Sequence, residues 1–204
     1  KPLVGNVFVF NQRDHAGGRD LSINGGVQLK ASPRWNLSVG PAWEKVRAPA
    51  QYVGSIPDAT PAALFGRRYL FTALDQTILS METRFNYTFT PGLTLEVYAA
   101  PFISAVDFGA QTRYLVAPRT FRFAPDTTSG VQLEDFNVRS LRGNAVLRWE
   151  WRPGSTLYVA WQQVRDNFAP GVGDFDFGRD RAALFRARPD NVFLIKVNYW
   201  FNPL

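Results

Sequence analysis

The chain has no cysteine, one histidine and one methionine among its 204 residues. The absence of cysteine excludes disulfides and thiolate metal sites, and it suits an exported bacterial protein. His15 is then the only imidazole available for general-base work at neutral pH. No run approaches the ~18 apolar residues of a membrane helix, and helical periodicity over three turns appears nowhere. A secretory leader is not visible ahead of the first strand-like segment, so the chain reads as a processed protein or a fragment. The net charge is +6, but the basic residues are scattered. No basic patch with interleaved aromatics stands out, which speaks against a nucleic-acid partner.

What is present is pattern. The chain is 46% hydrophobic and 15% aromatic, yet its mean hydropathy is only −0.17, so apolar residues must alternate with polar ones. The stretch "LRWEWRPGSTLYVAW" (147–161) shows it. Leu147, Trp149 and Trp151 share one face of an extended segment, while Arg148 and Glu150 share the other. After Pro153–Gly154 the alternation resumes with Leu157, Val159 and Trp161.

The turn in that stretch belongs to a set of three. "ASPRWNLSV" (31–39), "FTPGLTLEV" (89–97) and "WRPGSTLYV" (151–159) each place a proline third, then Leu and Val two residues apart. Proline presets φ for a turn, and a following glycine permits the positive φ of type II. Pro33, Pro91 and Pro153 recur at intervals of 58 and 62 residues, which fits hairpins along a meander. Eight strands are expected, at about 3–11, 20–30, 35–46, 75–89, 93–105, 137–151, 155–165 and 191–202. Residues 12–19, 47–66, 107–134 and 166–190 read as irregular connections. Most of these strands match the ~9–11 residues that cross a bilayer obliquely. Short turns at one end and long loops at the other describe an antiparallel up-and-down transmembrane β-barrel. Residues 1–204 are read as one such domain or the C-terminal part of one.

The aromatic residues sharpen this expectation. Trp35, Tyr87, Phe89, Trp151, Tyr199 and Phe201 fall on the apolar face within a few residues of a short turn or of the C-terminus. Amphipathic rings gather at that level in outer-membrane barrels, where headgroups meet acyl chains. A soluble lipocalin-like barrel explains the alternation equally well, but gives no reason for Trp and Tyr to collect at one end. Lipid therefore faces the tryptophans, and the lumen faces Arg148 and Glu150.

The stretch "LRGNAVLRWEWRPGSTLYVAWQQ", followed by a loop and "RPDNVFLIKVNYWFN", resembles the end of a bacterial outer-membrane family of unknown function. Members of that family are large, with a family-nine-type carbohydrate-binding module ahead of a C-terminal barrel. "NYWFN" also resembles the assembly signal of outer-membrane proteins, except that Asn202, Pro203 and Leu204 follow the aromatic. The resemblance implies an outer-membrane location and eight strands that belong to a larger barrel. As partners it implies an upstream sugar-binding module or other subunits of a membrane complex. It carries no established activity.

Candidate chemistry is thin, and no cofactor is expected. His15 lies in "RDHAGG", where a Ser–His pair of a lipid-acting enzyme must be considered, but no G-x-S-x-G elbow accompanies it. Asp174, Asp176 and Asp180 in "DFDFGRD" are spaced like a calcium loop, yet Phe185 stands where the bidentate Glu belongs. Arg179 and Arg181 are expected to neutralise these aspartates. The polar face carries Lys30, Glu44, Glu82, Arg84, Glu96, Arg148, Glu150 and Lys196. In a closed eight-strand barrel these charges pair and fill the interior, which is the first expectation. In a wider barrel they line a passage for small solutes such as saccharides. Loop arginines Arg113, Arg119, Arg122, Arg179, Arg181, Arg186 and Arg188 are candidates for gripping lipopolysaccharide phosphates. The reading is a non-enzymatic outer-membrane module that anchors or binds, with a solute channel second and a lipid-acting enzyme third.

Overall fold

The computed structural model describes residues 3–60 and 64–201. Alternating sequence folds as ten strands and one helix. In chain order these are β1 (Leu3–Arg13), β2 (Arg19–Ser32), β3 (Trp35–Pro57), β4 (Arg67–Thr90), β5 (Leu93–Phe108), β6 (Arg113–Leu115), β7 (Phe123–Pro125), β8 (Phe136–Arg152), β9 (Ser155–Pro170), α1 (Phe177–Arg186) and β10 (Asp190–Asn198). All strands belong to one antiparallel sheet. Its main path runs β1-β2-β3-β4-β5-β8-β9-β10, and the short strands β6 and β7 hang from β4.

The three proline turns lie at one end of the sheet and the long connections at the other. Gly154 adopts φ +77°, and a Cβ there would stand 2.8 Å from the Trp200 side chain, so both backbone and space require glycine. Gly92 is needed for a different reason: a Cβ would sit 2.7 Å from the Glu150 carbonyl oxygen. The Gly92 carbonyl accepts the Glu150 N–H at 2.7 Å, which ties the β4–β5 turn to β8.

Register sorts the side chains. Leu3, Leu29, Leu37, Phe85, Val97, Ala145, Trp161 and Phe193 stand directly opposite one another in a single line across the eight main strands. All are apolar. One step toward the turns on the same face come Trp35, Tyr87, Leu95, Leu147, Val159 and Ile195. On the opposite face the adjacent line reads Gln28, Ser38, Arg84, Tyr98, Asn144 and Gln162. A strict period of two across matched registers produces one apolar and one polar face.

Several expectations need correction. The sheet is open: β1 and β10 are its edges and do not pair with each other. Both are exposed on both faces along their whole length. Closure depends on tilt and shear accumulated over all strands, which alternation within one strand does not encode. Much of 47–66 is strand, because β3 and β4 pair beyond Ala48 as far as Pro57 and Arg67. Register shifts at Ala48/Gln51 and Tyr52/Gly54 interrupt the alternation there and hide it. Within 107–134 lie β6 and β7. A ten-residue helix occupies part of the segment 166–190, where irregular chain was expected. Strand β10 ends at Asn198 rather than at residue 202. Beyond it the Trp200 N–H donates to Ser155 Oγ at 3.0 Å. Asn202, Pro203 and Leu204 lie outside the described residues.

Among the described residues few apolar side chains are buried: Leu70, Ile103, Ala105, Val106 and Leu184. All sit toward the loop end: Ile103 and Ala105 share the face that α1 covers, Leu184 belongs to α1, Leu70 pairs with β6, and Val106 lies on the opposite face of β5. Nearer the turns large apolar side chains remain open, among them Leu3 at 63%, Phe193 at 72% and Ile195 at 70%.

Candidate functional site

The loop end carries a network of buried polar side chains. Helix α1 starts where Asp176 caps it, its carboxylate accepting the Arg179 N–H at 2.7 Å. Asp180 in the first turn suits the positive end of the helix dipole, and Arg186 in the last turn suits the other end. Arg165 of β9 donates to the carbonyls of Phe185 (2.6 Å) and Ala187 (3.1 Å), closing the C-terminus. Asp180 points into the sheet and is fully buried. It accepts from Arg139 Nη2 at 2.7 Å, from Arg179 Nε at 2.9 Å, from Asn137 Nδ2 at 3.1 Å and from the Asp176 N–H at 3.0 Å. Burial pushes the Asp180 carboxyl up, but hydrogen bonds from Arg179, Arg139, Asp176 and Asn137 outweigh it and hold the carboxyl below its ordinary value. Arg179 also forks onto Asp174 at 2.9 and 3.0 Å.

Arg139 lies on the apolar face by register, opposite Ile103. Helix α1 therefore covers the loop-side end of that face. A cleft of about 250 Å³ remains beneath it, lined by Leu79, Met81, Pro101, Ile103, Phe177 and Leu184 among others, with Arg181 as the one charged lining residue.

A second cluster holds the extended β3–β4 hairpin. Arg68 bonds Asp58 at 2.8 Å and Asp126 at 3.0 Å, and its guanidinium lies 4.7 Å from the centre of the Tyr114 ring. Burial raises the Asp126 carboxyl, yet bonds from Ser129, Arg68 and Thr128 bring it below its ordinary value.

The residues singled out from sequence are dispersed. Alternation puts Glu44, Glu82, Arg84, Glu96, Arg148, Glu150 and Lys196 on the polar face, while Lys30 adjoins the register shift after Leu29. Two ion pairs form among them, Arg148–Glu150 at 2.9 Å and Glu82–Arg84 at 3.9 Å, each between neighbours on one strand. Arg84 also lies over Tyr98. In the girdle, Trp35 faces Tyr87 across the β3–β4 ladder, and Tyr87 meets Phe89 edge-on at 4.6 Å. Trp151 meets Trp149 at 6.2 Å, and Arg152 covers Tyr199 at 4.2 Å. Tyr199 and Phe201 follow the end of β10 and are exposed. His15 lies edge-on to Phe121 at 4.8 Å, in a turn closed by Asp14 accepting the N–H groups of Ala16 and Gly18.

The calcium-like spacing is otherwise occupied: Asp174 pairs with Arg179, Asp176 caps α1 and Asp180 binds Arg139. Among the described residues no group of His, Cys, Asp or Glu is placed to hold a metal ion. Arg179 neutralises its neighbours as expected, whereas Arg181 instead lies over Phe177 at 5.8 Å. Arg113 donates to the Pro49 carbonyl and sits over Phe123, and Arg119 takes a positive φ of 57°. Arg122, Arg186 and Arg188 make no ion pair among the described residues. Sequence reasoning missed Arg68, Asp126, Arg139 and Asn137. For α1 a signal existed, since Asp176 before an acidic first turn and Arg186 in the last are helix start and stop marks.

Comparison with known proteins decides the family. The chain belongs to the family described as Domain of unknown function (DUF5916), whose model matches residues 4–202. The match covers nearly the whole sheet of the DUF5916 chain, from β1 to the segment after β10. No curated protein and no solved structure matches it. Among the described residues no helix is long and apolar enough to cross a membrane, which leaves membrane crossing by strands open.

Proposed function

We propose that this chain is a section of the wall of a bacterial outer-membrane β-barrel, acting as a non-enzymatic anchoring or binding module. The observation that carries this reading is the unbroken apolar line from Leu3 to Phe193, one residue per main strand. Soluble monomers rarely leave so continuous an apolar surface open to water. The aromatic residues at its turn end and the charges Lys45, Arg47 and Asp75 at its loop end bound the band as headgroup layers bound acyl chains. Lipid offers no hydrogen bonds to a sheet edge. In this reading β1 and β10 are therefore completed by further strands, and the loop-end clusters stand outside the membrane.

The channel reading has one observation in its favour. Arg84, Asn86, Glu96, Tyr98 and Asn144 line an open groove of about 470 Å³ on the polar face, and Glu96 makes no ion pair among the described residues. A wide, wet lumen accommodates such residues, whereas a filled one requires them to pair.

The test is fluorescence quenching in vesicles made with brominated acyl chains. Trp35, Trp43, Trp149 and Trp161 share the apolar face by register. Strong quenching by bromine and weak quenching by aqueous iodide is the expected result, with the bromine-quenched fraction falling in Trp161→Phe. The opposite preference overturns the membrane reading.

A further inference from the structure

We propose that the cleft beneath α1 is a binding site for one acyl chain of an anionic membrane lipid, with Arg181 holding the charged head. The proposal rests on the membrane reading for the source of its ligand, and on geometry for the site. The cleft lies between α1 and the loop-side end of the apolar band, with Leu79, Met81, Pro101 and Ile103 as floor and Phe177 and Leu184 on the helix side. Its volume of about 250 Å³ falls just under the ~300–1,000 Å³ of small-molecule pockets, a size for part of an alkyl chain. Water gains little in such a space, because it needs two to four polar partners. An alkyl chain restores the dispersion contacts that the lining atoms forgo.

Charge selects the head group. Two arginines of α1 stand two positions apart with opposite fates. Arg179 is saturated by Asp174 and Asp180. Arg181 lines the cleft, is exposed and makes no ion pair among the described residues, its guanidinium lying over Phe177. An apolar slot beside a single unpaired guanidinium is complementary to an alkyl chain ending in phosphate or carboxylate. The slot opens onto the same face as the apolar band, at the level where that band gives way to charge. A lipid head group would lie there.

The roof is held independently of any ligand. Asp180 fastens α1 to Arg139 at its start and Arg165 fastens its end. Removing Arg181 is therefore expected to weaken the ligand and leave the helix in place.

The experiment titrates dodecyl phosphate into the full chain held in uncharged detergent micelles, with heat as the readout. One molecule per chain, bound saturably, is expected. Arg181→Gln should weaken it at least tenfold, and Ile103→Trp, which fills the cleft, should abolish it. Arg186→Gln, on the same helix but outside the lining, should leave it unchanged. Non-saturable uptake, or equal losses in Arg181→Gln and Arg186→Gln, overturns the site in favour of unspecific attraction. A parallel titration in the same micelles separates sources: a two-chain anionic phospholipid binding with the same dependence on Arg181 supports the lipid assignment, and binding of dodecyl phosphate but not of the phospholipid assigns the site to a free amphiphile and overturns it. Quenching by brominated lipid is read separately, so a failed membrane reading and a failed pocket give different outcomes.

Discussion

Arg139 and Asp180 meet 2.7 Å apart under α1, with side chains 4% and 0% exposed. Removing one partner leaves an uncompensated buried charge, a loss of about 3–5 kcal/mol. Asp180→Ala should therefore detach α1 from the sheet. Limited proteolysis at Arg179, Arg181 and Arg186 should accelerate, while the ladders of β3–β5 keep their amide protection. Replacing both partners with leucine should restore protection of the helix. If Asp180→Ala cleaves at the native rate, the bond is not what holds the helix down.

The same pair gives a pH dependence with a defined sign. Asp180 has a carboxyl lowered in the folded state, so its contribution is present above the ordinary carboxylate value of ~3.9 and is lost as pH falls through the lowered one. Helix α1 should stay docked at neutral pH and release only in acid below that value. Amide exchange across Phe177–Arg186 followed against pH would show it. Asp180→Asn should flatten the profile.

Side-chain direction is testable by charge. Phe85 belongs to the apolar line and Asn144 to the polar one. Arginine on a lipid-facing position costs about 2–4 kcal/mol at the midplane and about 0–1 kcal/mol near the interface, so Phe85→Arg, one step from the Trp35–Tyr87 level, should lose stability between those limits in lipid-based refolding titrations. Asn144→Arg should change it little. The reverse order would turn the sheet inside out.

The open edges make a prediction about conductance. Neither β1 nor β10 has a partner on its outer side, and an unpaired edge is not tolerated in hydrocarbon. Purified 204-residue chain should give no steady single-channel current in planar bilayers. Sustained currents from this chain alone would mean that it closes a pore by itself.

His15 packs on Phe121 from an exposed turn. An edge-on aromatic contact is worth about 0.5–1.5 kcal/mol, so His15→Ala should cost no more than that in a denaturant titration. Deacylase assays on outer-membrane lipid should read background for both proteins. Activity in the native chain that disappears in the variant would establish an enzyme.

The strands were legible in the sequence because each obeys a local rule. Leu147, Trp149, Arg148 and Glu150 declare their faces by position alone, and Pro33, Pro91 and Pro153 mark the turns where the observed strands reverse. Period-two alternation needs no knowledge of the partner strand. Three things required the folded chain. The β3–β4 extension was hidden because bulges near Gln51 and Gly54 shift the alternation. Helix α1 was hidden because Asp180 and Arg181 occupy positions where a core-facing helix shows apolar residues between Phe177 and Leu184. Asp180 is tolerated there because Arg139 and Asn137, 41 and 43 residues earlier, lie opposite it and join Arg179 in bonding its carboxylate. The open edge was not legible either, since closure is a sum of tilt and shear over every strand. Sequence by itself determined which residues share a face. Tertiary structure decided how far the strands run, that a helix covers one end of the apolar face, and that β1 and β10 stay apart, because each depends on groups distant in the chain meeting at hydrogen-bond range.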